Sequence, residues 1–185
     1  WVTIDGDASI RQRRVIVPLL NALETLGARV EYLESFGEAP FRIRGPITSK
    51  PLLLSCMDSQ PATALLILGA CLPEGLTLDI QDCDEWPWVH VTLDWFSRLN
   101  IPYVLDKSRI SVRSSQGFSA FERLIPGDFS SALYAILGAL LTGSTLEIVG
   151  LDPFDVQGDR QVLDLLQAWG AVCVWRAETL CVQGG

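Results

Sequence analysis

Apolar residues recur early in the chain at the spacing of an α-helix. The stripe consists of leucines one, three or four positions apart, namely Leu19, Leu20, Leu23 and Leu26. Gly27 is expected to end the helix, because glycine reaches the left-handed cap conformation without steric cost. The pattern predicts one amphipathic helix inside residues 6–28, following a strand end and a glycine turn.

Three arginines precede the leucine stripe, and the pattern places them in the first turn of the same helix: Arg11, Arg13 and Arg14. The free backbone N–H groups at a helix start favour anions, so a cation there opposes the helix dipole by about 0.3–1 kcal/mol. We therefore expect an anion to compensate these charges. The alternative is a solvated basic turn without a ligand.

The same order of elements recurs in three stretches of the chain. They are ALETLGARVEYLES…FRIRG (residues 22–45), WFSRLNIPYVLDKSRISVRSS (95–115) and LLQAWGAVCVWRAETLCVQGG (165–185). Each reads as a helix end, a small or polar break, a short strand, a turn and a second strand. The breaks, at Gly27, Asn100 and Gly170, follow one another at about 70 residues, which suits a two-helix supersecondary unit.

Upstream of the second and third stretches the pattern adds a strand and a helix. In the second unit the predicted order is strand 51–56, helix 60–70, strand 76–80 and helix 87–99. In the third unit it is strand 122–126, helix 129–142, strand 145–150 and helix 158–168. The predicted fold is α/β, built of repeated β-α-β-α-β-β units.

Two of the predicted helices lack a polar face. Residues 62–69 and 132–141 are almost entirely apolar, so both helices are expected to be buried on all sides. Parallel buried helices walled by short sheets satisfy that requirement. Residues 114–120, SSQGFSA, form the one plausible linker, which divides the chain into residues 1–118 and 119–185. The alternative is one continuous α/β domain with a long loop.

Charge and length limit the class of partner. The chain has 185 residues, 49% of them hydrophobic, and a formal net charge of −8. That length fits one domain or two small ones. An acidic chain repels nucleic acid and anionic membranes, so neither is expected as a partner. The local cluster of arginines suits a small anion better.

The cysteines and the single histidine favour neither a disulfide framework nor a metal site. The five cysteines show no CxxC spacing, and His90 stands alone. We expect free thiols, no metal and, with no signal peptide or apolar run of transmembrane length, a cytoplasmic protein. The start at Trp1, inside a strand-like run, is typical of a piece of a longer chain.

Candidate binding residues lie where the predicted helices begin. Arg13 can fork onto a carboxylate or phosphate, and Ser59 and Gln60 can donate hydrogen bonds to it. The alternative is helix capping, because Asp58 or Ser59, and also Asp84, are ordinary N-cap types.

Two further pairs near the fourth predicted helix leave alternatives open. Asp84 and Glu85 could act as general acid and base, although surface acids are far commoner. Of Trp86 and Trp88, either one lines a ligand cleft or both cover the core.

Five segments in order resemble the 5-enolpyruvylshikimate-3-phosphate synthase family over the whole chain. They are GDASIRQRR, DSQ before an apolar helix, WPWVHVTLDWF, PGDFSSALYAILGALLTG and VQGDRQVLDLLQAWGA. The match is to the middle of the family's chain and covers less than half of it. The resemblance implies two domains of three β-α-β-α-β-β units, with residues 1–118 late in the first and 119–185 early in the second.

The resemblance also implies a reaction. The family transfers the enolpyruvyl group of phosphoenolpyruvate to shikimate 3-phosphate and releases phosphate, without a cofactor, on the route to chorismate and the aromatic amino acids. Arg13 matches the arginine that holds phosphoenolpyruvate, and Ser59 and Gln60 match two residues of a Ser-Ser-Gln substrate motif. Trp88 falls where the family often has a tyrosine beside the sugar-like ring.

Two positions depart from the family pattern. The first serine of the Ser-Ser-Gln motif is Asp58 here, and the serine of a Ser-Lys-Pro-Tyr motif is Glu85. Both serines usually help bind the 3-phosphate, which carboxylates should repel. A proline usually follows the phosphoenolpyruvate arginine, and here that position is Arg14.

The resemblance places the family's general acid and base outside this chain, in its other segments. We therefore expect no catalytic residue here and no turnover by this piece without the full-length family chain. Two alternatives stay open. One is UDP-N-acetylglucosamine 1-carboxyvinyltransferase, against which Ala8 counts, because that family usually has a reactive cysteine there. The other is a non-catalytic binding module of the same fold.

Overall fold

The computed structural model describes residues 1–13, 15–114 and 118–184. The chain forms two compact units, Trp1–Ser119 and Ala120–Gly185. The first unit holds two sheets and the second holds one. Of the predicted linker, residues 115–117 lie outside the described residues.

The first sheet lies at the start of the first unit. Its elements are β1 (Val2–Ile4), α1 (Ala8–Arg13), α2 (Val17–Thr25), β2 (Arg29–Tyr32) and β3 (Phe41–Arg44). The strands are antiparallel in the order β1-β3-β2. Leu20 and Phe41 are buried between α2 and this sheet, so the predicted leucine stripe faces a core.

The second sheet of the same unit has four strands. Its elements are β4 (Leu52–Ser55), α3 (Gln60–Cys71), β5 (Leu76–Gln81), α4 (Trp86–Arg98), β6 (Tyr103–Asp106) and β7 (Arg109–Val112). The order is β4-β5-β7-β6, with β4 and β5 parallel and the other pairs antiparallel. Its core includes the fully buried Leu65, Leu66 and Val89.

The second unit repeats half of this arrangement. Its elements are α5 (Phe129–Thr142), β8 (Thr145–Val149), a short 3-10 helix (Gly158–Arg160), α6 (Gln161–Ala168), β9 (Val172–Arg176) and β10 (Thr179–Gln183). The strands are antiparallel in the order β8-β10-β9. Phe129, Ile136 and Leu180 are fully buried in its core.

The predicted repeat is confirmed. In each of the three sheets the last strand of the repeat lies between the two strands that precede it: β3 between β1 and β2, β7 between β5 and β6, and β10 between β8 and β9. The break residues are all left-handed, with φ of 110° at Gly27, 57° at Asn100 and 95° at Gly170. The chain therefore turns from helix to strand by the same device each time.

The prediction of one continuous helix within residues 6–28 is wrong. Two helices form instead, and α2 begins just before Pro18. A proline suits the first turn of a helix but cannot continue one, because its ring collides with the carbonyl four residues earlier. Arg11 and Arg13 therefore lie in the last turn of α1, the end that favours cations. Arg14 lies outside the described residues.

The charge of Arg11 is compensated within the chain. Its guanidinium donates to both carboxylate oxygens of Asp5, at 2.8 and 2.6 Å, and lies 3.5 Å from Glu34. The hydrogen bond from Arg11 lowers the pKa of Asp5. Arg11 therefore needs no external anion.

The strand predicted at residues 122–126 does not form. A strand is stabilised by a ladder of hydrogen bonds and by burial of one face. Here Leu124 and Ile125 are 93% and 67% exposed. Just after this segment, the N–H of Gly127 donates a backbone hydrogen bond to the carbonyl of Gly150. In the second sheet, by contrast, β4 buries Leu52 and Leu54 and pairs along its length with β5.

The prediction that two helices are buried on all sides is slightly wrong for α3 and wrong for α5. Helix α3 packs against α2, α4, β5 and β7 and leaves Ile67 44% exposed. Helix α5 packs on β8, β10 and the 3-10 helix, which cover one side. Its other side leaves Tyr134 and Leu141 more than 80% exposed.

Side chains close the start of α5. The Asp128 carboxylate accepts from the backbone N–H groups of Ser130 and Ser131, at 3.2 and 2.9 Å, and from the Ser131 hydroxyl. The Gln157 side chain accepts from Phe129 N at 2.9 Å and donates to Gly127 O at 3.1 Å. These bonds satisfy donors that a helix start otherwise leaves free.

Replacing Asp128 tests this cap. The Ser131 hydroxyl, ahead of the backbone donors, lowers the pKa of Asp128, so its stabilising effect is complete above the carboxyl's ordinary pKa and is lost as pH falls through the lowered value. We expect Asp128→Ala to destabilise the second unit by about 0.5–2 kcal/mol at pH 7. Hydrogen exchange of the α5 amides measures this.

The matched control is Asp128→Asn, which keeps the acceptor oxygen and should exchange nearly as slowly as the wild type at pH 7. At acid pH the wild type and the alanine variant should converge. Equal exchange in all three proteins at pH 7 would contradict the capping role.

Candidate functional site

A cleft of about 650 Å³ lies between the N-terminal halves of α3 and α4. Its lining consists of Ser59, Gln60, Thr63, Ala64, Ile67, Glu85, Trp88, Val91 and Thr92. The helices follow β4 and β5, which are parallel neighbours, so both begin at the same edge of the sheet. Open α/β sheets bind ligands at the edge where parallel strands end.

Ser59 and Glu85 tie the two helix starts together. Ser59 is buried, and one carboxylate oxygen of Glu85, Oε2, accepts from its backbone N–H at 3.0 Å and from its hydroxyl at 2.8 Å. The backbone bond first, and then the hydroxyl bond, lower the pKa of Glu85. Glu85 is therefore an ionised acceptor at neutral pH, which does not suit the general-acid role that its pairing with Asp84 suggested.

Asp58 caps α3 from the other side of the turn. Its carboxylate accepts from the backbone N–H of Gln60 at 2.8 Å and from the Gln60 side-chain amide at 3.4 Å. Ser59 occupies the N-cap position but makes no side-chain cap bond within its own helix. The N-cap position of α4 belongs to Glu85 and not to Asp84, so the capping alternative does not apply to Asp84.

The two tryptophans have different surroundings. Trp86 packs against the core of the first unit, with its ring centroid 5.9 Å from that of His90. Trp88 is half-buried and lines the cleft. Of the two alternatives, the structure therefore supports the one in which a single tryptophan faces the cleft.

Two threonines complete the polar lining, and neither was predicted from the sequence. The hydroxyls of Thr63 and Thr92 lie 2.9 Å apart across the helix pair, and Thr92 is buried. Thr63 is the one polar residue in the apolar run 61–70, a signal that could have located it. Thr92 lies in a helix with several polar residues and gave no such signal.

Arg13 stands apart from this group. It is exposed at the end of α1 and does not belong to the cleft lining. Within the described ranges its guanidinium makes no ion pair. The structure thus brings together Ser59, Gln60, Glu85 and Trp88, with Asp58 bonded to Gln60, and leaves Arg13 available to an anion from solution.

The cysteines are free thiols, of which Cys56 and Cys173 are buried. Burial raises the pKa of Cys56 to about 11, so that thiol is not a nucleophile at neutral pH. In the described part of the chain, no three His, Cys, Asp or Glu side chains are grouped so that they could hold a metal ion. None of the described helices is both long and apolar enough to cross a membrane.

Comparison with known proteins places the chain in a family. The family model described as EPSP synthase (3-phosphoshikimate 1-carboxyvinyltransferase) matches residues 1–185. A 3-phosphoshikimate 1-carboxyvinyltransferase of Chlamydia muridarum is 40% identical over 172 residues, which are 92% of this chain and 38% of that protein. One from Ruminiclostridium cellulolyticum is 31% identical over 185 residues, 100% of this chain and 44% of that protein.

A solved structure supports the fold. The EPSP synthase of Acinetobacter baumannii superposes with a TM-score of 0.71 at 17% identity, over 99% of this chain and 42% of that one. The predicted α/β fold of repeated units is thereby confirmed. The chain spans 38–44% of the length of the curated relatives named above. On the match along its whole length, this chain belongs to the EPSP synthase family.

Proposed function

We propose that this chain is the part of a 3-phosphoshikimate 1-carboxyvinyltransferase that contributes the shikimate 3-phosphate cleft. The complete enzyme would transfer the enolpyruvyl group of phosphoenolpyruvate to a hydroxyl of shikimate 3-phosphate and release phosphate. The observation that carries the proposal is the convergence of Ser59, Gln60 and Trp88 on one cleft, in a chain of this family.

Each residue has a role that its chemistry supports. The Gln60 amide offers a donor and an acceptor to ring hydroxyls, and Trp88 provides an apolar face for the ring. Ser59 has a hydroxyl and a backbone N–H at the start of α3, which in the structure both donate to Glu85 and which a ligand would have to take over. Arg13, exposed and without an ion pair to a described residue, is proposed to bind the carboxylate or phosphate of phosphoenolpyruvate as a fork.

The division of the chain into domains is part of the proposal. Residues 1–118 would form the later part of one domain and residues 119–185 the early part of the next. The boundary between the compact units, Ser119 to Ala120, supports this division. We propose a cytoplasmic enzyme without a cofactor or nucleic-acid partner, as the net charge of −8 and the free thiols favour.

One observation favours a second function, a non-catalytic binding module. The carboxylate of Glu85 holds both Ser59 donors, which a phosphate would otherwise use. Binding of shikimate 3-phosphate by this chain favours the enzyme, and its absence favours the module.

Titration with shikimate 3-phosphate, followed by isothermal calorimetry, tests the cleft. We expect saturable binding that weakens about three- to tenfold in Gln60→Ala, the effect of one lost hydrogen bond. The matched control, Gln161→Ala, removes an exposed glutamine in the second unit and should bind like the wild type. Equal affinity of all three proteins would exclude Gln60 from the site.

Titration with phosphoenolpyruvate in the presence of shikimate 3-phosphate tests Arg13. We expect Arg13→Ala to weaken phosphoenolpyruvate binding by about tenfold or more, since a hydrogen bond to a charged group is lost. Arg13→Lys should recover only part of it, because lysine cannot fork. Gln12→Ala, its exposed neighbour, is the control, and an effect on shikimate 3-phosphate as large as that on phosphoenolpyruvate would contradict the assigned role.

The chain alone is expected to release no phosphate from the two substrates. The resemblance places the general acid and base in parts of the family chain beyond this one. A colorimetric phosphate assay, with each substrate alone as the blank, measures this. Release above the blank by purified chain would mean that this chain itself includes a catalytic pair.

A further inference from the structure

We propose that Glu85 is the specificity-determining residue of the cleft: its carboxylate occupies the anion position at the start of α3, so that a ligand's phosphate must displace it. The choice of shikimate 3-phosphate as the ligand rests on the proposed function. The competition between Glu85 and a phosphate does not rest on the proposed function, and it is tested separately with inorganic phosphate.

The backbone donors at the start of α3 are engaged by acceptors within the chain. Glu85 accepts from the backbone N–H of Ser59, and Asp58 accepts from that of Gln60. Pro61 has no N–H. The N–H of Thr63 donates to the carbonyl of Ser59 within the helix. The N–H groups of Ser59 and Gln60, of the kind that a helix start ordinarily offers to an anion, are therefore already in use.

The buried hydroxyl of Ser59 is engaged by Glu85 as well. Ser59 is 6% exposed, and its hydroxyl donates to the same Glu85 oxygen as its N–H. A phosphate that used Ser59 would have to replace that oxygen at both donors. Substitution at Glu85 should therefore alter phosphate binding more than ring binding.

The charge of Glu85 also acts on any anion that enters the cleft. Among the described residues that line the cleft, Glu85 is the one charged side chain, and no lysine or arginine joins it. Hydrogen bonds from Ser59 lower its pKa, so the charge persists at neutral pH. A phosphate placed against Ser59 meets this like charge, whereas a ring hydroxyl in the same position does not. The cleft as built accepts the ring and opposes the phosphate.

Competition between Glu85 and a phosphate should be measurable as a ratio of affinities. For the wild type, we expect shikimate and shikimate 3-phosphate to bind with similar dissociation constants. In Glu85→Ser, which provides a hydroxyl in place of the carboxylate, the preference for the phosphorylated compound should rise by about tenfold or more, with shikimate binding little changed. Glu85→Gln, which keeps the size and one acceptor oxygen, should show a smaller rise in the same direction.

The control is Glu74→Ser, which removes the same charge from an exposed turn outside the cleft and should keep the wild-type ratio. Circular dichroism checks that each variant folds. If Glu85→Ser does not fold, the comparison is made with Glu85→Gln. An unchanged ratio in the folded Glu85 variants would overturn the inference while leaving the proposed substrate intact.

If neither shikimate compound binds to any variant, the proposed function fails and inorganic phosphate decides the inference. In ¹H–¹⁵N spectra, added phosphate should shift the Ser59 amide in the Glu85 variant and leave it in place in the wild type. The same response in both proteins, or none in either, would overturn the role of Glu85.

Discussion

The parallel pairing of β4 with β5 is the constraint on which the cleft depends. Because the two strands are neighbours and run in the same direction, the helices after them begin at one edge of the sheet. That brings Ser59 and Glu85, 26 positions apart in the chain, within hydrogen-bond distance. The antiparallel strands that recur in all three sheets would not by themselves bring two helix starts together in this way. In the first sheet and in the second unit, no described strand stands in the place of β4.

Most of the fold could be predicted because its signals are local. The breaks at Gly27, Asn100 and Gly170 each need a left-handed residue, and such positions are confined to few residue types. The apolar periodicity then located the helices and strands on either side. Pro18 was the local signal that the sequence analysis overlooked, and it moved Arg11 and Arg13 from the start of one helix to the end of another.

The wrong predictions of a strand and of a fully buried helix share a physical cause, because both features depend on packing partners distant in the chain. Residues 122–126 have a strand-like composition, but a strand needs a neighbour to pair with, and Leu124 remains exposed. The apolar composition of α5 correctly predicts a helix, but burial depends on what packs around it. The composition of a segment indicates which secondary structures it can form, while pairing and burial by the rest of the fold determine which one forms.

In the candidate site, too, some features could be predicted from the sequence and others could not. Ser59, Gln60 and Trp88 were found because they resemble a family motif, and the structure groups them around one cleft. The bond between Glu85 and Ser59 could not be found, since no periodicity or spacing encodes a contact between side chains on different helices. The two carboxylates were read as groups that would repel a phosphate; the structure adds that both already serve as acceptors at the start of α3.

The most direct test of the account is a map of the backbone amides and tryptophan indoles that respond to shikimate 3-phosphate, measured by ¹H–¹⁵N spectroscopy on the isotope-labelled chain. Binding in the cleft between α3 and α4 should produce shifts that concentrate at Ser59, Gln60 and the Trp88 indole, with the second unit unchanged. Shifts centred elsewhere, or none at saturating ligand, would contradict the assignment of the cleft between α3 and α4 as the substrate site.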